Sequence, residues 1–242
     1  MWTIAEYLPA AFFSLRASSG TSSGGKSLIV PTPYAVKTAL MDASIRTQGV
    51  SQGQALFDGL HSLTIAARLP DQIVVNNTFS RILRIKELKT KASEKATILA
   101  KAMAQQQWPY QSTIAFREYV HFGGPLWLAF EGMEEELLTP LLAQINYLGK
   151  RGGFVQLRRR PSTESELPNS FTRLTCDHGD TFPLGTLQVV DDWGAALTFD
   201  RLSIYSDKPV RIGTERIFHE VVLPYRPTRF SRGYTLYRRL PQ

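Results

Sequence analysis

Cysteine is almost missing from this 242-residue sequence. Cys176 stands alone, which excludes an internal disulfide and any cysteine-rich zinc site. Histidine is nearly as scarce: His61, His121, His178 and His219 are scattered, with no pair at helical or hairpin ligand spacing. No metal and no other cofactor is therefore expected. No apolar run approaches the roughly 20 residues needed to cross a bilayer. The opening Met1-Trp2-Thr3-Ile4-Ala5-Glu6 also lacks the basic and long apolar regions of a secretory signal. The expectation is an intracellular, cytoplasmic protein with no membrane contact. No nucleophile-elbow sequence singles out a catalytic Ser, His and Asp, so each histidine is read as structural or surface.

What the sequence does have is apolar content for an ordinary core, at 43%, and an excess of positive charge. Lys and Arg number 28 against 21 Asp and Glu, a net charge of +7, as expected when the partner is a polyanion. The charge is clustered. Arg81 to Lys101 holds seven basic residues against two acids, Lys150 to Arg160 five against none, and Lys208 to Arg239 eight against two. Glu131 to Glu136 is the one acidic stretch.

Local patterns outline an α+β chain. Ala11 to Arg16 has strand composition, and Ala17 to Ser27 is a Ser/Gly loop. Thr32-Pro33 reads as an N-cap and first helical residue, and Val36, Ala39, Leu40 and Ala43 recur at helical spacing, predicting a helix from about Pro33 to Arg46. Ser62 to Arg68 and Ile73 to Ile85 read as strands, the second showing Phe79 and Ile85 on one face with Arg81 and Lys86 free for the other face or the rim. Lys89 to Gln107 has helix-forming composition without an apolar stripe, as in an exposed inserted arm. Thr113 to Phe122 and Leu126 to Phe130 read as a hairpin around Gly123-Gly124-Pro125. Thr139-Pro140 suggests the cap of a second helix ending at Gly149. Strands are then expected at Phe154 to Leu157, Thr186 to Val190, Leu197 to Tyr205, Ile217 to Leu223 and Tyr234 to Arg238. This order suits an antiparallel sheet with helices on one face, an elaborated ferredoxin-like (RRM-like) α+β fold. The expected organisation is a ferredoxin-like domain over residues 1–160 with an arm at about 84–107, and a β-rich C-terminal extension over 161–242 packed on the same domain.

Gly20-Thr21-Ser22-Ser23-Gly24-Gly25-Lys26-Ser27 matches the P-loop pattern letter for letter. A P-loop cradles phosphate at the N-terminus of a helix that starts at its Lys-Ser pair. Here Leu28-Ile29-Val30 is an apolar run ending in two β-branched residues, and Pro31 and Pro33 would each cost a helix interior about 3 kcal/mol. Val189-Val190-Asp191 is a weak companion for it, flanked by Pro183, Gly185 and Gly194. The expectation is an extended Ser/Gly loop whose lysine touches phosphate at most in passing.

Three segments resemble one family: Val30-Pro31-Thr32-Pro33-Tyr34-Ala35-Val36-Lys37-Thr38-Ala39-Leu40, Arg117-Glu118-Tyr119-Val120-His121-Phe122-Gly123-Gly124-Pro125-Leu126, and Tyr147-Leu148-Gly149-Lys150-Arg151-Gly152-Gly153-Phe154. In this order they look like the fifth Cas family of the repeat-associated mysterious proteins (RAMPs), whose members open with a strand, a variable loop, a P-x-P turn and a helix. The resemblance spans most of residues 10–158 and fades beyond Arg160.

The resemblance implies a non-catalytic RNA-binding subunit of a type I CRISPR-Cas, Cascade-like ribonucleoprotein complex in antiviral defence, one that caps the 5′ handle of the crRNA. It implies as partners the crRNA, a backbone RAMP subunit, the large subunit and, through the assembled complex, target DNA. Carried onto this chain, the handle-binding residues are Arg16, Lys26, Lys37, Arg81, Arg84, Lys86, Arg117, Tyr119, Lys150 and Arg151. Unpaired bases can stack on Tyr119, Phe122 or Trp108, although Phe122 and Trp108 read somewhat better as core. The arm from about Arg84 to Gln107 corresponds to a thumb-like projection toward the neighbouring backbone subunit. The repeat-processing endoribonucleases that share the fold carry a glycine-rich loop near the C-terminus, where this chain has only Arg232-Gly233-Tyr234. The competing readings are a repeat-processing endoribonuclease, a P-loop nucleotide enzyme and an unrelated ferredoxin-like interaction module.

Overall fold

The computed structural model describes residues 1–17, 25–85, 90–106, 110–149, 152–176, 184–202 and 208–241. The chain begins with β1 (Trp2–Pro9), β2 (Leu15–Arg16), β3 (Ser27–Leu28), α1 (Pro33–Gln48), α2 (Val50–His61), β4 (Thr64–Arg68) and β5 (Gln72–Ile85). It continues through α3 (Ala92–Ala104), β6 (Tyr110–Phe122), β7 (Leu126–Glu131), α4 (Glu135–Gln144), β8 (Val155–Leu157), β9 (Ser162–Glu164) and β10 (Thr172–Arg173). It closes with β11 (Thr186–Trp193), α5 (Phe199–Leu202), β12 (Arg216–Leu223), β13 (Tyr225–Phe230) and β14 (Tyr234–Arg239). The result is a mixed α/β structure of antiparallel sheets with few helices. Among the described residues no helix is long and apolar enough to cross a membrane.

The first sheet has the order β10-β4-β7-β1-β8, with β9 also paired to β1. Alternation along β1 sends Ala5 and Tyr7 to one face and Trp2 and Ile4 to the other. The register Ala5↔Leu128 and Ala67↔Leu128 lines up the first face across β1, β7 and β4. Val36, Leu40 and Ala43 of α1 and Leu138, Leu141 and Leu142 of α4 join that face in the main core. The second face carries Trp2, Ala66 and Ala129 and is covered by Phe171. Arg68 lies over the Trp127 ring at 4.6 Å from its centroid. On the same face Glu6 is buried and meets Arg158 at 2.8 Å and Arg159 at 3.0 Å.

The second sheet has the order β13-β14-β5-β6. β5 and β6 pair over their whole length, from Ile73↔Phe122 to Ile85↔Tyr110. Near its base Ile73, Val75, Val120 and Phe122 are buried; from Asn77 outward on β5 and up to Glu118 on β6 no described side chain is. α3 joins the two strands, and none of its described side chains is buried either.

Helix α1 starts as its sequence dictates: Thr32 Oγ1 accepts the Ala35 amide at 3.2 Å and Pro33 occupies the first turn. Other elements depart from the sequence reading. The first long strand is Trp2–Pro9, and of Ala11 to Arg16 only Leu15–Arg16 is a strand. Thr113 to Phe122 pairs with β5, while Leu126 to Phe130 belongs to the first sheet, so the two form no hairpin. The second helix starts at Glu135 with Pro140 inside it. That proline removes one amide from a helix of only 10 residues and leaves the rest of the apolar face packed. Phe199–Leu202, read as part of a strand, is one helical turn. The helix α2 had no sequence signal, because Gly53 sits where a good helix former would be expected. A Cβ at Gly53 would come within 2.5 Å of Ile45 Cγ1, so glycine lets α2 lie against α1.

Candidate nucleic-acid interface

Pairing register decides which side chains of the second sheet share a face. One face carries Ile73, Val75, Val120, Phe122 and Tyr225 and is buried at its base. The other carries three cross-strand rows: Arg226, Arg238 and Gln72; then Arg229, Leu236, Val74 and His121; then Tyr234, Asn76 and Tyr119. Thr78 and Arg117 follow, and Arg84 lies on the same face toward the tip. No described residue of this second face is buried, so no layer of the described residues covers it. Phe12 stands at its β6 edge, with ring centroids 6.5 Å from Tyr119 and 5.9 Å from His121.

The segment before α1 runs along the free side of β6. Phe13 and Val120 exchange both backbone hydrogen bonds, at 2.9 and 2.7 Å, and the Glu118 amide donates to Gly25 O at 2.9 Å. Ser27 N donates to Glu118 Oε2 at 2.7 Å, and Arg16 pairs in register with Ser27. Lys26 and Arg16 are thereby brought to the edge of the strand that carries Arg117 and Tyr119, and both are exposed.

The remaining sequence-derived residues fall elsewhere. Lys37 is 2% exposed, with Nζ 2.9 Å from an Asp192 oxygen and donating to the His61 carbonyl at 3.0 Å, which removes it from any RNA-facing set. Its position on α1 matched the core periodicity, and only the tertiary placement of β11 supplies its partner. Arg81 is exposed but shares the face of Phe79, opposite to Arg117 and Tyr119, because strand period two puts residues 79 and 81 on one side. Arg81, Arg84 and Arg117 all belong to the second sheet. Phe122 is core. Lys86, Trp108, Lys150, Arg151 and His178 lie outside the described residues. Arg226, Arg229, Arg238, Tyr234, His121 and Phe12 were not singled out from sequence. Their signal was the basic stretch to Arg239, but their common face depends on β14 pairing with β5 across more than 150 residues of chain.

Lys26-Ser27 leads into a strand, and the next helix begins only at Pro33. Ser27 Oγ accepts the Leu15 amide at 3.0 Å and donates to Leu28 O at 2.9 Å. Gly25 is buried against β6, where a Cβ would lie 2.1 Å from Phe116 O. Glycine and serine of the P-loop pattern thus have structural duties; residues 20–24 of it lie outside the described residues. Among the described residues no group of three or more His, Cys, Asp and Glu could hold a metal ion. Asp191 is paired with Arg216 and Asp192 with Lys37.

Fold and surface together define an antiparallel α/β protein with an uncovered sheet face that gathers arginine and aromatic side chains. No protein-family model matches the chain. A CRISPR-associated protein Cas5 from Archaeoglobus fulgidus is 23% identical over 214 residues, covering 86% of this chain and 87% of the relative. The sequence is thus similar to a Cas5 protein along most of the length of both chains. Solved structures also align along nearly all of it. A CRISPR protein from Archaeoglobus fulgidus has TM-score 0.41 and 12% identity, covering 98% of this chain and 91% of the other. A chain of a CRISPR RNA-guided surveillance complex has TM-score 0.44 and 14% identity, covering 100% and 91%.

Proposed function

We propose that this chain is a non-catalytic RNA-binding subunit of a type I, Cascade-like surveillance complex in the cytoplasm, where it grips the 5′ handle of the crRNA. The observation that carries the reading is the gathering of Arg16, Lys26, Arg117 and Tyr119 around β6, on a surface that nothing in the described chain covers. Arginine forks suit phosphate, and exposed aromatic rings suit unpaired bases. The succession β1, α1, β4, β7, α4, β8 with spatial order β4-β7-β1-β8 supports the ferredoxin-like reading of the first sheet. The exposed α3 between β5 and β6 supports the reading of that hairpin as a projecting arm toward a backbone subunit.

The test is co-expression of the chain with the other subunits of its complex and a repeat-spacer transcript. Guide RNA with a protected 5′ handle is expected to co-purify only when this chain is present. Complexes that form with protected guide in its absence would overturn the proposal. Cutting of repeat RNA by the isolated chain without metal would replace it with the repeat-processing reading.

A further inference from the structure

We infer that the open face of the β13-β14-β5-β6 sheet is a stacking surface for single-stranded RNA, with the row Tyr234, Asn76, Tyr119 as its base-binding line. The inference rests on the guide-RNA reading above and adds which surface takes the strand and by what chemistry.

The three residues are set side by side by register, Tyr234↔Asn76 and Asn76↔Tyr119. Neighbouring strands lie about 4.8 Å apart, so the two tyrosines stand roughly 10 Å from each other across β5. That span holds two bases on separate rings, splayed rather than stacked on one another. Asn76 lies between them with an amide that can both donate to and accept from a base edge. Tyr234 is 39% and Tyr119 38% exposed, so each ring has a free surface despite its neighbours. Phe12, 55% exposed, closes the β6 end of the row against Tyr119 and His121.

Charge selects the occupant. Arg229 and then Arg226 and Arg238 lie on one side of the row, and Arg117 lies on the other. None of these four guanidinium groups makes an ion pair among the described residues. The four strands contain a single acid, Glu118, which is on the opposite face and accepts the Ser27 amide. Cations on both sides of an aromatic row match a chain whose phosphates flank its bases. A duplex would keep its base faces stacked and out of reach of the rings. An apolar partner would lack a continuous surface, because Asn76 separates the tyrosines and Arg229 borders them.

The test is fluorescence anisotropy with the full chain and a labelled repeat-derived RNA strand, alone, annealed to its complement, and as the DNA strand of the same sequence. Melting curves are taken for every variant. Tyr119→Ala with Tyr234→Ala should weaken single-strand binding by about tenfold or more per ring lost, while the paired Tyr→Phe variant keeps most of it. Replacing Arg226, Arg229 and Arg238 together by Gln should lower the slope of log affinity against log salt by about 2, at about 0.7 per phosphate contact on a single strand. Wild-type affinity in the Ala variant with normal melting would overturn the inference, as would equal loss in the Ala and Phe variants. Tighter binding of the duplex or of the DNA strand would overturn single-stranded RNA as the occupant, and an RNA strand that wild type does not bind would overturn the surface altogether. The guide reading fails separately, through complexes that protect their guide without this chain.

Discussion

Lys37 and Asp192 meet at 2.9 Å with side chains only 2% and 6% exposed, joining the first helix to the first strand of the C-terminal β pair. The His61 carbonyl accepts a further hydrogen bond from the same ammonium, and His219 Nε2 lies 3.8 Å from Asp192. Removing one member of such a pair leaves a buried charge without its partner, at about 3–5 kcal/mol. Lys37→Ala is therefore expected to lower the thermal midpoint strongly, and Lys37→Met with Asp192→Leu much less. RNA affinity of either, measured below its melting range, should match wild type. Normal melting of Lys37→Ala with reduced RNA affinity would return Lys37 to the binding surface.

The P-loop look-alike gives a second separation of roles. Gly25→Ala should destabilise the fold, since its Cβ would fall 2.1 Å from Phe116 O, whereas Lys26→Ala, at an exposed site, should melt normally. Neither change should alter an ATPase trace, which is expected to be flat for wild type. Magnesium-dependent ATP hydrolysis lost in Lys26→Ala would show that the pattern is a working nucleotide site.

The parts that were legible in the sequence were those whose signal is local. Thr32-Pro33 and the spacing of Val36, Leu40 and Ala43 mark α1, and the alternating residues 73–85 mark β5. β1 was not legible because both of its faces are covered, so Trp2, Ile4, Ala5 and Tyr7 show no apolar-polar alternation. Tyr225–Phe230 was not legible because Arg226, Pro227 and Arg229 look like loop until β14 pairs with them. For the site, the residue types were readable and their sidedness was not. Arg81 and Arg117 look equivalent in sequence, and only the register Arg81↔Ile114 and Thr78↔Arg117 puts them on opposite faces.

Tyr7 offers a pH-dependent check on the core. Its hydroxyl donates to Leu142 O at 2.9 Å, one of the terminal carbonyls of α4, and burial pushes its pKa well above the ordinary tyrosine value. The unfolded chain ionises this phenol above about pH 10 and the folded chain does not, so the associated stability is complete below pH 10 and is lost as pH rises further. Tyr7→Phe should cost about 0.5–1.5 kcal/mol at neutral pH, because the Leu142 carbonyl loses one of its two donors and keeps the Ile145 amide. Its stability should then fall less steeply in alkali than that of wild type. Tyr225, also raised by burial, keeps part of the slope. Identical alkaline slopes by denaturant titration would count against a buried, protonated Tyr7.

Arg117 and Arg81 make the sharpest pair, because they stand on the same hairpin with opposite sidedness. Arg117 is half-buried on the face that carries Tyr119, and Arg81 is exposed on the face that carries Phe79. An arginine that makes no ion pair or side-chain hydrogen bond, removed from a surface, changes stability by about 0.5 kcal/mol or less, whereas a lost charge-assisted phosphate contact costs about 1.5–3 kcal/mol of binding. Arg117→Ala should therefore melt close to wild type, bind single-stranded repeat RNA roughly ten- to a hundredfold more weakly, and assemble poorly with guide and partner subunits. Arg81→Ala should bind RNA as wild type does, so that any assembly defect it shows traces to protein contacts on the other side of the arm. Equal losses of RNA affinity in the two variants would mean that the strand wraps the hairpin instead of lying on one face. Loss in Arg81→Ala alone would move the binding surface to the side that carries Phe79.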